Sequence, residues 1–299
     1  MYSMLNSTDL EKLRKAGKIA ANALRLGMDM VSDGVLLIDV AEEVEGYIRS
    51  HGAKPAFPTN LSINEVAAHY TPCIGDKTRF DIGDVVKVDC GAHIDGFVGD
   101  TAGTVEVGTR NFTALIQASK DARDAVMEFI GDGCPINEIG KLVNSTIQRA
   151  GFQPIRNLSG HEIKPFNLHA GLSIPNVDDG NKDKVEEGMV IAIEPFATNG
   201  VGLIDSGKSS NIYKVVRDLP IADPDLKAFF DDMCQTVSTF PFCERWLDDP
   251  KTAIKVNKLM RHGLVSRYAQ CVERKRGCVS QWEHTVYVTG KKAEITTLP

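Results

Sequence analysis

The stretch from Asp84 to Val107 constrains the fold more than any other part of the chain. Val85, Val86 and Val88 lead into Asp89, and Asp95-Gly96 is the dipeptide favoured in two-residue hairpin turns. Val98 to Val107 supplies a return strand. With a two-residue turn, residue 94 faces 97 and residue 89 faces 102, so Asp100 and Ala102 share a face with Asp89. Asp89 and Asp100 are then diagonal neighbours, with Cα atoms roughly 7–8 Å apart. A three-residue loop with a bulge would change that register. Two carboxylates in a valine-rich sheet are costly unless paired. They point either to bound cations or to a solvated hairpin face.

The flanking sequence divides into two similar halves. Thr8 and Glu11 have capping-box spacing, and Leu10, Leu13, Ile19, Ala20 and Leu24 follow at helical spacing until Asp33-Gly34. A second helix is expected over about Val40–Arg49, ending at Gly52. Pro55, Pro58 and Pro72 then mark an irregular extended segment, 53–71. Helices over about Thr113–Ile130 and Ile136–Ala150 lead to a second extended region, Phe152–Pro175, and to the buried strand Met189–Glu194. Gly52-x-x-Pro55 before Asn60-Leu-Ser62 echoes Gly151-x-x-Pro154 before Asn157-Leu-Ser159. The repeat suggests two αβ halves of an α+β fold, with helices packed over a shared sheet, enclosing a central site. Residues 201–278 change texture and are expected to form a mainly helical insertion, broken at Pro241 and Pro250 and basic at its end (Arg261, Arg267, Arg274, Lys275, Arg276). A winged-helix-like surface or a solvated face both fit that end. Trp282–Thr289 closes the chain as a strand.

Composition narrows the partners. Lys and Arg number 34 against 40 Asp and Glu, a balance of −6 that argues against a general binder of nucleic-acid backbones. No apolar run reaches membrane-span length and nothing resembles a signal peptide, so a cytoplasmic protein without membrane partners is expected. The seven cysteines (73, 90, 134, 234, 243, 271 and 278) include no CxxC and read as reduced thiols. Metal ligands must therefore be sought among Asp, Glu and His.

Candidates occur at breaks beside strands: His69 in Ala-Ala-His-Tyr-Thr-Pro72, His161 after Gly160, His169 in Leu168-His-Ala-Gly171, Glu194 ending MVIAI, and Glu283 opening the last strand. Each histidine taken singly can equally be a hydrogen-bonded structural residue. Glu194 stands out, because five apolar residues run straight into a carboxylate followed by Pro195-Phe196. One imidazole with several carboxylates is a hard ligand set suited to Mn²⁺, Co²⁺, Zn²⁺ or Fe²⁺. Four carboxylates can bridge two such ions.

Asp89, Asp100, His161, Glu194 and Glu283, in that order, resemble the five-ligand set of the pita-bread (creatinase/aminopeptidase) metallopeptidases. Ala56-Phe-Pro-Thr-Asn60, His69-Tyr-Thr-Pro72, Lys87-Val-Asp-Cys-Gly91, His169-Ala-Gly171, Glu186-Glu-Gly188, Glu194-Pro-Phe196 and Glu283-His-Thr285 sharpen the resemblance to type II methionine aminopeptidases, most similar to the archaeal form. It covers nearly the whole chain. Asp89 comes too early to leave room for the extra domain usual in prolidase-like relatives, and the stretch between Glu194 and Glu283 fits the type II insertion.

The resemblance implies pseudo-twofold halves around a dinuclear metal site. Residues 1–200 and 279–299 would form the catalytic unit and 201–278 the insertion. It implies removal of initiator methionine from nascent chains when the second residue is small, by a metal-bridging hydroxide. Asp89, Asp100, His161, Glu194 and Glu283 would hold two divalent ions (Co²⁺, Mn²⁺, Zn²⁺ or Fe²⁺), with Glu194 also moving a proton. His69 and His169 would contact the scissile peptide. Phe57, Leu168 and Phe196 would hold the methionine side chain, with ordinary core packing as their alternative. A monomer is expected, with the ribosome as a further candidate partner. The rival readings are a non-catalytic RNA- or ribosome-binding protein of this fold, and an Xaa-Pro peptidase.

Overall fold

The computed structural model describes residues 4–217 and 219–299. Helix α1 (Ser7–Met30) is capped by Asn6, whose side-chain oxygen accepts the Asp9 amide at 3.0 Å. The expected Thr8–Glu11 box is therefore not the cap: Asn6 starts the helix before Thr8 and satisfies a first-turn donor. Helix α2 (Leu37–Ser50) ends just before Gly52, which is left-handed at φ +79°.

Strands β1 (Lys54–Ile63) and β2 (Val66–Ala68) occupy the segment expected to be extended and irregular. β1 pairs with one neighbour in its sheet, β3 (Val85–Ile94), and its register slips between Pro55 and Phe57 and again between Phe57 and Asn60. Pro55 and Pro58 fall at these slips on an edge strand, where a missing N–H is tolerated. β3 and β4 (Phe97–Glu106) form the expected hairpin. Asp95 and Gly96 carry the two positive φ values of a tight turn, +49° and +87°. The pairing is Ile94↔Phe97, Asp89↔Ala102 and Gly91↔Asp100. α1 lies so close on this hairpin that a Cβ on Gly99 would come within 2.3 Å of the Gly17 Cα. A glycine at 99 is required for that approach, while a Cβ on Gly17 would instead meet the Thr296 carbonyl oxygen at 2.2 Å.

The second half repeats the plan. α3 (Thr113–Phe129) and α4 (Ile136–Arg149) are followed by Gly151 at φ +87°, the counterpart of Gly52. β5 (Gln153–Pro154), β6 (Ser159–Ile163), β7 (Ser173–Pro175), β8 (Val190–Ile193) and β9 (Phe196–Thr198) come next. Residues 201–278 contain α5 (Pro224–Val237) and α6 (Thr252–Arg261), but also the long antiparallel pair β10 (Ile204–Val215) and β11 (Val265–Glu273). This part is thus mixed rather than mainly helical. The first half of β10, Ile-Asp-Ser-Gly-Lys-Ser over 204–209, is exposed apart from a half-buried Ile204, so it lacks the apolar alternation that announces a strand. β12 (Val279–Gln281), β13 (His284–Val288) and β14 (Ala293–Ile295) complete the chain. The second main sheet has the order β14-β13-β8-β6-β7. Leu115, Val126, Ile136, Val143 and Ile147 of its helices pack with Ile191, Ile193, Val286 and Val288 of the sheet.

Threonine side chains close the seam between the two sheets. Thr285 Oγ1 accepts the Asp100 amide and donates to the Asp100 carbonyl, both at 2.8 Å. Thr101 Oγ1 donates to the Glu283 carbonyl and Thr104 Oγ1 to that of Gln281. The Glu283 amide reaches the Ala102 carbonyl at 3.0 Å. These bonds set β4 against β12 and β13, and so bring Asp100 beside Glu283.

Segment 201–278 has its own core, in which Phe229, Phe230 and Met233 meet Phe242, Val256 and Leu259. It joins the first half in two ways. β11 pairs with β2 (Cys271↔Ala68), and Arg245 enters a buried bidentate ion pair with Glu45 of α2 at 2.8 and 2.9 Å. Trp246 Nε1 and the Thr59 amide also donate to Glu45, while Arg245 Nε donates to the Pro72 carbonyl. The basic end of the segment turns onto its own neighbours: Arg274 pairs with Asp205 and Arg276 with Glu65. Removing Arg245 takes the bidentate cation from a carboxylate that is 1% exposed and leaves it the Trp246 and Thr59 donors and Arg49 at 3.7 Å. Arg245→Ala should therefore cost about 3–5 kcal/mol in denaturant unfolding, and a loss below about 1 kcal/mol would refute the staple.

Candidate metal centre and substrate cavity

The hairpin register carries Asp89 and Asp100 to the same face of the first sheet. From the second half, β6 presents His161, whose Cα partner on β8 is Ala192. Gly160 allows this close pairing, since a Cβ there would lie 2.2 Å from the Ala192 carbonyl oxygen. Glu194 follows the end of β8 and Glu283 precedes β13, adjoining strands in one sheet. Asp100, His161 and Glu283 each offer one ligand atom, all within 4.8 Å of one another. His161 Nε2 is 3.6 Å from both Asp100 Oδ2 and Glu194 Oε1. Gln281 Nε2 reaches Glu283 Oε2 at 3.2 Å and Asp89 Oδ2 at 3.4 Å, which ties the remaining carboxylate into the group.

The electrostatics of the group demand a cation. Burial pushes the Asp89 carboxyl up to about 7. Burial and then the neighbouring carboxylates drive Asp100, Glu194 and Glu283 well above their usual range. Among the described residues no Lys or Arg pairs with any of the four. Asp89 Oδ1 and Asp100 Oδ1 are buried without hydrogen-bond partners. Burial, with His169 alongside, lowers His161 to about 3, leaving a neutral imidazole of the kind that ligates metals. One neutral nitrogen among hard oxygens, carrying unspent lone pairs, fits divalent ions of the Mn²⁺–Zn²⁺ series.

A cavity of about 220 Å³ opens above this group. All ten residues singled out in the sequence line it: the five already described, together with His69, His169, Phe57, Leu168 and Phe196. His69 follows β2 in the left-handed region, φ +67°, a conformation uncommon outside glycine that histidine tolerates better than most residues. The His169 ring lies 4.3 Å from that of His161, centroid to centroid. Burial lowers both His69 and His169, the latter to about 4, so both imidazoles are neutral. Sequence reasoning missed Gln281, which ends β12 two residues before Glu283. It also missed Ile212, Pro241 and Tyr268, which bring segment 201–278 into the cavity wall. No signal marked these three, because the strands carrying Ile212 and Tyr268 were not legible.

The sequence profile of metallopeptidase family M24 matches residues 11–290. The chain belongs to metallopeptidase family M24. Its relatives include the methionine aminopeptidase of Methanocaldococcus jannaschii, 42% identical over 96% of this chain and 98% of that protein. The methionine aminopeptidase of Archaeoglobus fulgidus is 43% identical over the same shares. The fold is the pita-bread fold of the family. A crystal structure of methionine aminopeptidase from Thermotoga maritima superposes over the full length of both chains with a TM-score of 0.74 at 24% identity.

Carboxyls whose pKa is higher in the fold than in the unfolded chain hold protons better when folded. Without a cation, the fold therefore loses stability as pH rises from about 4 toward the value near 7 of Asp89. Bound divalent ions remove that penalty. In thermal melts, chelated protein should unfold at a lower temperature at about pH 8 than at about pH 5.5, with Zn²⁺ or Mn²⁺ raising the pH 8 midpoint most. An ion-independent midpoint at the higher pH would contradict a metal centre.

Proposed function

We propose that this M24 enzyme is a type II methionine aminopeptidase, which hydrolyses the first peptide bond of chains beginning with methionine when the second residue is small. The observation that carries the reading is the meeting, in one cavity, of a cation-demanding carboxylate group, two neutral imidazoles and an apolar wall. Methionine aminopeptidases related over nearly the full length supply the activity class. The intervening segment 201–278, with strands of its own, supports the type II assignment. In this reading residues 1–200 and 279–299 form the catalytic unit and 201–278 an insertion.

Each part has a chemical role. Asp89, Asp100, His161, Glu194 and Glu283 would hold two divalent ions. When bound, such ions polarise the scissile carbonyl and make water nucleophilic near neutral pH. Glu194, raised by burial, accepts the proton that water gives up and returns it to the leaving amine. His69 and His169 stand on the cavity wall as neutral hydrogen-bonding groups for the peptide. Phe57, Leu168 and Phe196 surround the methionine side chain, and the acidic floor holds the free α-amino group, which restricts hydrolysis to chain ends.

Among the described residues no helix is long and apolar enough to cross a membrane. A monomeric cytoplasmic enzyme, acting on nascent chains at or near the ribosome, is the setting that suits this substrate. Turnover of Met-Ala-x and Ala-Pro-x peptides tests the reading. The account expects the first to be cleaved at least about a hundredfold faster, the scale on which a filled apolar pocket discriminates. Preference for the proline peptide would establish Xaa-Pro specificity instead, and no turnover of either would leave a binding protein.

A further inference from the structure

The inner nitrogen of His69 faces a choice of two partners. Its Nδ1 lies 3.3 Å from the Ala269 carbonyl oxygen and 3.5 Å from Cys271 Sγ. Both partners come from β11, whose pairing with β2 sets Cys271 opposite Ala68, the residue before His69. The Tyr268 ring meets the imidazole edge-on at 5.2 Å. Cys271 itself stands behind the histidine and does not line the cavity. Nε2 has no hydrogen-bond partner among the described residues.

A neutral imidazole has one donor and one acceptor nitrogen, so the partner of Nδ1 decides what Nε2 offers to the cavity. If Nδ1–H donates to the Ala269 carbonyl, Nε2 presents a lone pair. If Nδ1 accepts the Cys271 S–H, Nε2 keeps the proton and is a donor. The carbonyl contact is longer than an ordinary N–H···O bond, whereas 3.5 Å is an ordinary separation for the larger sulfur. Burial keeps the thiol protonated and therefore able to donate. A carbonyl oxygen that gains negative charge during hydrolysis is stabilised by a donor and repelled by a lone pair.

We propose that Cys271 is a positioning residue for His69: its thiol donates to Nδ1 and so holds the imidazole proton on Nε2, aimed at the substrate carbonyl. The proposal rests on the reading that His69 contacts the scissile peptide, and its test separates the two. In zinc-loaded enzyme labelled with ¹⁵N-histidine, with the His69 signal assigned by His69→Asn, the wild type should show the Nε2–H tautomer. Cys271→Ala should move His69 to the Nδ1–H tautomer and lower kcat on a Met-Ala peptide about five- to twentyfold, the loss of one hydrogen bond, with KM within about twofold. Cys271→Ser, which restores a donor, should recover the wild-type tautomer and most of kcat. An Nδ1–H tautomer in the wild type, or a tautomer that Cys271→Ala leaves unchanged, would overturn the proposal. A tautomer that moves while kcat does not would support the thiol–imidazole bond and overturn the placing of His69 on the peptide.

Discussion

The structure is organised around buried negative charge. Four carboxylates meet around the neutral His161, among the described residues no Lys or Arg pairs with them, and burial makes each reluctant to ionise. Such an arrangement persists in a fold only if something positive is meant to occupy it. Each half of the molecule supplies two of the four: Asp89 and Asp100 from the first hairpin, Glu194 and Glu283 from adjoining strands of the second sheet. The centre therefore exists only where the halves meet. The threonine bonds across β4 and β13 fix that meeting, because Thr285 grips both backbone groups of Asp100.

Segment 201–278 depends on the same geometry from outside. Its strands extend from β2, next to His69, and its wall residues Ile212, Pro241 and Tyr268 narrow the cavity opposite the carboxylates. The Glu45–Arg245 pair, reinforced by Trp246 and Thr59, anchors the segment at a second point. Two attachments far apart in sequence hold one wall of the cavity in a fixed position.

What could be read in advance follows from how local each signal was. The Asp-Gly turn sets the hairpin register, so the shared face of Asp89 and Asp100 follows from period two alone, and β3 and β4 pair in that register. The helix pairs were legible because their apolar faces repeat regularly over fourteen residues or more. β1 was legible as an extended stretch but not as a paired strand, because its prolines report only that a helix is excluded, and they sit at bulges of an edge strand. β10 was hidden by an exposed Ser- and Lys-bearing half. The Glu45–Arg245 pair joins residues 200 apart and leaves no local pattern at all. Gln281 stands two residues before Glu283 at the end of β12, and an uncharged amide carries no ligand signal in the sequence.

The central claim is that the carboxylate group exists to hold divalent ions that the reaction requires. It is tested most directly by preparing metal-free protein, adding Mn²⁺ stepwise, and following bound ion and Met-Ala peptide turnover together. The account predicts no turnover without ion and activity that rises with occupancy until the site is filled. Full turnover by rigorously metal-free protein, or saturation with Mn²⁺ that leaves the protein inert while its fold is intact, would contradict it.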